Sequence, residues 1–547
     1  MQKSIRVRAW LFVLSWLAGS VLWAAPLSAQ VRILPGSSEI AAAEVDGVLR
    51  RATQLETERR WGEALGVYEE ALREFPHDQK LSDRQSLAKI HYDLGRRYGD
   101  SSFLRALSTL SERQALALYS EVLVKIESHY VSAPNWPSLI ARGTRGLEIA
   151  LHEKGFVERN LRGRSAAELD AFAARAQRLM QTRQLTSRQQ AIDAVAAVAQ
   201  LGNQQLQLSP TSVALEYACG AIGALDTYSA YLTSDQLNDV YSQIEGNFVG
   251  LGIELKASSG ALVIVKVITG SPAERAGLRA GDRIAEVDNR STDEMTTDQA
   301  ADLLQGQEGS IVNIVTVGAN NTSRRLAIRR EHVEVPSIDD VKILDRATGV
   351  AYLKLTCFQK STSRDLDAAL WKLHREGMKC LIMDLRGNPG GLLTSSVEVA
   401  DKFVEEGILV STRGRSPLED FNYTAHKAGT WRVPLVVLID GESASASEIF
   451  AGAIRDHRRG KLVGERSYGK GSVQGIFPLT IAGSGVRLTT AKFFSPKGNP
   501  ISQVGVQPDI VVHRAARPFG TTAAGDAGED AVLAAGLEAA RVQTASR

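Results

Sequence analysis

Three hydrophobic patterns succeed one another along the chain. From about residue 40 to 230, apolar residues recur at helical spacing, as in "WGEALGVYEEALREFP" (61–76), and helix follows helix. Ser165-x-x-Glu168 and Ser187-x-x-Gln190 have the spacing of capping boxes, each opening an Ala-rich helix, so 152–210 reads as a helical insertion without visible chemistry. Around residue 245 the pattern shortens to β-branched runs: "GNFVGLGIEL", "ALVIVKVI", "DRIAEVD" and "SIVNIVTV". Two short helices, "SPAERAGL" with Pro272 in its first turn and "TTDQAADLLQG", lie between them and make 245–331 a compact module. From Gly349, strands ("GVAYLKL", "CLIMDL", "PLVVLID") alternate with helices ("TSRDLDAALWKLHREG", "LLTSSVEVADKFVEEG", and one after "GESASASEIF"). Such alternation implies a mostly parallel sheet covered by helices. Functional groups in such sheets gather at the carboxyl ends of strands, where the "RGNPGG" loop and the serine cluster both fall. Past residue 516 an Ala/Gly-rich tail leads to one short helix near 530–541.

Composition narrows the class only a little. A chain of 547 residues accommodates two to four domains, and 44% hydrophobic with 23% charged residues describes an ordinary folded protein. The formal charge is +2, with no basic stripe interleaved with aromatics, which argues against nucleic acid. The N-terminus is more specific. Lys3, Arg6 and Arg8 precede "AWLFVLSWLAGSVLWAA" and small residues near Ala29, the pattern of a secretory signal cut before Gln30. An uncleaved anchor is the alternative, and the only route to membrane association; Ser15, Gly19 and Ser20 dilute the apolar run. Cys219, Cys357 and Cys380 are too few for a disulfide framework and read as buried small hydrophobes. No HExxH or Cys/His ligand spacing occurs, so neither metal nor cofactor is expected. In 61–76, Ala64, Tyr68, Ala71 and Pro76 stand where the second half of a tetratricopeptide repeat has them, and Leu94, Gly95 and Tyr98 begin another. That is fewer than the three repeats such arrays need, and a plain amphipathic hairpin fits equally well.

The serine cluster poses the chemical question. Ser445-Ala446-Ser447-Glu448 has the spacing of a capping box, which needs no further role. His457 would lie roughly 18 Å from Ser445 along one helix, too far to be its base, and nothing marks His426. The G-x-S-x-G elbow is missed, because Ser445 stands where its last Gly should be. "GERSYGKG" (464–471) approaches a phosphate-binding loop, but Gly471 replaces the required Ser or Thr, and a strand-like segment containing Pro478 follows. What remains for Lys470 is the role of base. A free lysine is almost wholly protonated at neutral pH; burial among glycines and apolar residues, as in "YGKGSVQGIF", lowers its pKa. Gln474 shares a face with Lys470 and is placed to orient the amine. A hydroxyl at a helix start sits beside unpaired N–H groups, so Ala446 N–H is one candidate oxyanion donor, and the loop glycines Gly390 and Gly391 offer a second. Cap and nucleophile are compatible roles, and local physics does not choose among Ser443, Ser445 and Ser447.

Ordered motifs now accumulate. "GALDTYSAYLT" (223–233), "GLGIEL" followed by "SPAERAGLRAGDRI", "LIMDLRGNPGGLL", "SASASEIFAGAIRDHRRGKLVGERSYGKGSVQ" and "KFFSPKGNPI" together resemble the C-terminal processing (tail-specific) serine proteases, peptidase family S41 with an inserted PDZ domain. The resemblance covers roughly 115–151 and 211–515. It implies an α/β fold: a crotonase/ClpP-like, mostly parallel core, an inserted β-rich PDZ domain and an all-α N-terminal region. The corresponding divisions are a signal (1–29), a helical, repeat-like region (30–114), a helical N-terminal protease part with its insertion (115–244), the PDZ (245–331), the catalytic core (332–515) and a tail (516–547). It further implies Ser445 as nucleophile, Lys470 as base and Gln474 as its orienter. Gly250, Leu251, Gly252 and Ile253 become the loop that grips a peptide carboxylate through backbone N–H groups. Thr227 replaces the family's usual Pro, and 30–114 falls outside the match.

The expected protein is an exported, periplasmic or otherwise extracytoplasmic, serine endopeptidase that captures protein C-termini. An adaptor meeting the N-terminal helices and a homo-oligomer stay open. So do two rivals: a catalytically silent PDZ scaffold and a small-ligand binder on a crotonase-like core.

Overall fold

The computed structural model describes residues 37–513 and 530–545, apart from 259, 260, 294, 296 and 319. The expected signal at 1–29 lies outside the described residues. Among those described, no helix is long and apolar enough to cross a membrane.

The chain divides into two compact units, meeting in sequence at residues 89 and 90. In the first, the helices Ser37–Thr57 and Trp61–Glu74 and the start of Gln79–Gly99 share a core of Ala52, Ala64, Tyr68, Ala71, Leu81 and Ala88. Ala64, Tyr68 and Ala71 face inward, as both the repeat and the hairpin reading expect, and the Tyr68 hydroxyl donates to Glu56 at 2.8 Å.

The second unit begins with helices that include Glu112–His129, Trp136–Ala150, Ala166–Gln181, Arg188–Leu206 and Pro210–Gly223. Ser165 and Glu168 close their capping box. Ser187 accepts the Gln190 N–H, but the Gln190 side chain turns to Thr186, whose N–H it accepts at 2.7 Å. Of the three free cysteines only Cys380 is fully buried.

Within 245–331 the expected single strand "GNFVGLGIEL" is two. Asn247–Gly250 pairs with Glu331–Glu334 as a two-stranded stem, and Ile253–Ser258 forms the edge of a separate sheet. Gly252 makes the break: its φ is +83°, and a Cβ there would stand 2.3 Å from that of Ser271. Both ends of the module meet where Val335 N–H donates to Gly246 O at 2.8 Å.

The remaining chain builds two sheets. The first runs Ile338–Asp345, Val350–Leu355, Cys380–Asp384, Leu435–Ile439, Lys461–Gly464, Ile510–Val511, parallel after its first antiparallel pair. Its central strands are buried on both faces. Leu353, Met383 and Val437 meet the helices Thr362–Arg375, Leu393–Asp401 and Ala446–Asp456, while Tyr352, Ile382 and Leu438 meet the C-terminal helix Ala531–Ala545. The helix expected through residue 407 stops at Asp401, and Phe403 and Val404 turn into the core. The second sheet was not anticipated. Gly485–Phe494 pairs antiparallel with Ser472–Pro478 and with both Ala230–Leu232 and Ile408–Gly414, the last carrying Phe421–Thr424 at the edge.

Candidate active site

Strand Leu435–Ile439 turns at Asp440 into the helix Ala446–Asp456. Asp440 Oδ1 accepts the N–H groups of Glu442, Ser443 and, from the glycine loop, Gly387, each at 3.1 Å. The three serines then part company. Ser443 donates its hydroxyl to Leu385 O and Ser447 to Asn388 O, each at 2.9 Å, and both are buried. They fasten the serine turn to the glycine loop. Ser445 is half-buried, and its hydroxyl is donated to no carbonyl among the described residues.

Ser445 has φ 56° and ψ −113°, a conformation that residues with a Cβ avoid. A strained serine at a strand-to-helix turn is the geometry of a nucleophile elbow, reached here without the G-x-S-x-G sequence. Gly390 approaches from outside the turn: a Cβ there would stand 2.8 Å from Ser445 Cβ and 2.9 Å from Ala446 N. A Cβ on Gly391 would meet Phe358 O at 2.1 Å. Both positions exclude any side chain.

Glu448 joins this turn to the lysine loop. Its Oε2 accepts the Ser445 N–H at 2.8 Å and the Lys470 N–H at 2.9 Å; its Oε1 accepts the Ser467 hydroxyl and the Gly469 N–H, both at 2.6 Å. The two amide nitrogens therefore lie no further apart than those two bonds allow. Burial pushes this carboxyl above its ordinary value, and the four hydrogen bonds pull it partway back. From sequence Glu448 is only the far end of a capping box, because its other partners stand 19 to 22 residues on.

Lys470 is half-buried, its Nζ 5.0 Å from the centre of the Tyr228 ring. Burial lowers its pKa and Arg487 adds to the shift, against smaller opposing pulls from Glu448 and Asp226. Among the described residues no hydrogen bond joins its amine to the Ser445 hydroxyl. Gln474 does not touch it through a hydrogen bond either: the amide Nε2 donates to Ser472 at 3.1 Å and Thr489 at 2.8 Å, and Oε1 is buried without a partner. Of the oxyanion candidates, the Gly390 N–H is taken by Asn388 Oδ1 at 2.9 Å, whereas Gly391 and Ala446 donate no hydrogen bond among the described residues. Asn388, fully buried and donating to Leu355 O at 2.8 Å, is the loop's brace. Its only sequence signal is its place inside "RGNPGG". Among the described residues no group of three or more His, Cys, Asp or Glu is placed to hold a metal ion.

A second candidate site lies in the β-rich module. Between the edge strand Ile253–Ser258 and the helix Thr297–Leu304 runs a groove of about 310 Å³, lined by Phe248, Leu251, Ile253, Leu255 and Leu304 among others. Gly250 and Gly252 stand at its end, and the carbonyls of Leu251 and Gly252 are turned away to accept from Ala273 and Ile268.

Residues 349–512 match Peptidase family S41, and 263–317 match a PDZ domain. Over 304 residues, 54% of this chain and 68% of the relative, the chain is 38% identical to a carboxy-terminal-processing protease of Bartonella bacilliformis. The chain belongs to peptidase family S41, the carboxy-terminal-processing proteases. To a protein of Staphylococcus epidermidis named "Probable CtpA-like serine protease" it is 31% identical over 291 residues, spanning 52% of this chain and 58% of that one. Among solved structures, a photosystem II D1 C-terminal processing protease is 26% identical, covering 73% of this chain and 93% of that one at a TM-score of 0.38. Membership in S41 agrees with the resemblance read from the motifs, and the fold described above is the expected mixed α/β core with a PDZ domain and a helical N-terminal region.

Proposed function

We propose that this S41 protein is an exported serine endopeptidase that cleaves with Ser445 and Lys470. The observation that carries the reading is the pairing of a strained Ser445, whose hydroxyl donates to no carbonyl among the described residues, with a half-buried Lys470 on backbone held by one buried carboxylate, Glu448. Ser445 Oγ attacks the scissile carbonyl while its proton passes to the neutral amine of Lys470. The resulting ammonium gives that proton to the leaving amine, and water then releases the acyl group by the same steps. Ala446 N–H and Gly391 N–H are the unengaged donors for the oxyanion, with Gly390 serving close approach. Gln474 keeps a buried oxygen that would accept from the amine once the lysine swings to the serine; such contacts often close only with substrate.

The PDZ groove supports capture of a protein's C-terminal tail. A peptide adds beside the edge strand Ile253–Ser258, with its carboxylate at the 250–253 loop. In this scheme the basic–apolar start of the sequence directs the chain out of the cytoplasm, and the N-terminal helices receive an adaptor.

Purified Lys470→Ala and Ser445→Ala should each lose cleavage of an unstructured protein by at least ~10²-fold. Full activity in Lys470→Ala sinks the dyad.

A further inference from the structure

Tyr228 belongs to no role assigned so far. It precedes the strand Ala230–Leu232, which the helical part of the chain lends to the antiparallel sheet. Its presentation is rigid. Asp226 Oδ1 accepts the N–H groups of Tyr228 and Ser229 at 2.9 and 2.7 Å, Arg487 Nε donates to Tyr228 O at 2.9 Å, and Ala230 pairs with Arg487. The ring thereby lies against the Lys470 amine, with Tyr468 beside the Tyr228 hydroxyl.

We propose that Tyr228 is a positioning residue for Lys470: its ring roofs the amine against water, so the helical N-terminal part completes the catalytic pocket. The inference rests on Lys470 acting as the base. The charged groups around that amine come from three elements: Arg487 on the strand Gly485–Phe494, Glu448 on the helix Ala446–Asp456, and Asp226 on the turn before Ala230–Leu232. Two influences of the ring oppose each other. Its π face favours the ammonium, and its bulk withholds the water an ammonium needs. Burial is the largest influence on this amine, and the ring 5.0 Å away supplies part of that cover, so we take the second effect to govern.

Removing the ring should let water in and raise the pH at which Lys470 becomes neutral. In Tyr228→Ala the acid limb of kcat/KM moves up by about one pH unit; in Tyr228→Phe it stays. An unmoved limb in Tyr228→Ala, or one displaced to lower pH, overturns the proposal. A second measurement needs no turnover. In the Ser445→Ala background, acylation of Lys470 by an amine-reactive ester, followed by peptide mass spectrometry across pH, gives the amine's own midpoint, and the same upward shift is expected. Tyr228→Val replaces the alanine variant if that one melts early. Should cleavage survive Lys470→Ala, the dyad reading falls, and the labelling midpoint still decides what the ring does. Should cleavage require Lys470 while the midpoint ignores Tyr228, this inference alone falls.

Discussion

At the scale of single residues, the site is organised around two titratable groups with opposite duties, the buried Glu448 and the half-buried Lys470. Glu448 faces only donors, four of them, and all its acceptor positions are matched. Glu448→Ala leaves those donors unpaired in a dry place, at a cost on the order of 3 kcal/mol in urea unfolding. Glu448→Gln keeps the volume but points an NH₂ at other donors, so turnover should fall while the chain still folds. Lys470 works the other way. Its pKa is depressed in the folded protein, so between that value and the ordinary ~10.4 the unfolded chain binds more protons and stability rises with pH. Below the folded pKa the whole cost of burying an ammonium is present. Lys470→Met should therefore be inactive yet more stable at neutral pH, by on the order of 1 kcal/mol, with the gain shrinking toward pH 10 in thermal melts. Cleavage itself should increase with pH as the amine loses its proton, measured as kcat/KM. Motif and chemistry marked Ser445 and Lys470 as candidates, and the loop glycines foretold the close approach that Gly390 makes. Glu448, Asn388 and Tyr228 were not legible in the sequence, since each acts through partners distant in the chain, and a buried acid reads like a cap until its donors are seen.

The elements were readable where periodicity was local. The alternating strands and helices from Gly349 appear in the expected order, and the Ser165 box forms as its spacing requires. The antiparallel sheet escaped notice because two local hairpins are joined into it by long-range pairings: Ala230–Leu232 meets Gly485–Phe494 across more than 250 residues, as the Arg487–Tyr228 bond shows by its separation of 259. The helix Ala531–Ala545 gains a site connection in the same hidden way. Its capping Asp530 accepts the Leu533 N–H at 3.0 Å and also Arg386 Nη1 at 2.8 Å, while Arg386 is forked onto Asp384 at the end of a central strand. Arg386 opens the glycine loop, so the last helix steadies the loop that carries Gly391, one of the two proposed oxyanion donors. Asp530→Ala should cost about 1 kcal/mol as a lost cap and also reduce kcat more than it changes KM. A melting shift without any kinetic effect would confine Asp530 to stability.

At the scale of the whole molecule, the PDZ enters and leaves the core through one narrow stem, with the Lys266–Asp339 ion pair as a further contact. Asn247–Gly250 and Glu331–Glu334 run side by side, with Val335 hydrogen-bonded to Gly246, so excising the module leaves two ends already in contact. A chain in which a short Gly-Ser link replaces 247–334 should keep the core's fold by circular dichroism and lose its preference for particular C-terminal tails in competition cleavage assays; unchanged preference would remove the capture role. The opposite holds for the strand lent from upstream. Residues 226–232 belong by sequence to the helical half and by hydrogen bonding to the sheet behind the lysine. Anyone transplanting the segment that carries the S41 signature, 349–512, into a new host would leave this wall behind. The graft would carry both proposed catalytic side chains and still be an open room, its amine rinsed by solvent and holding its charge to higher pH.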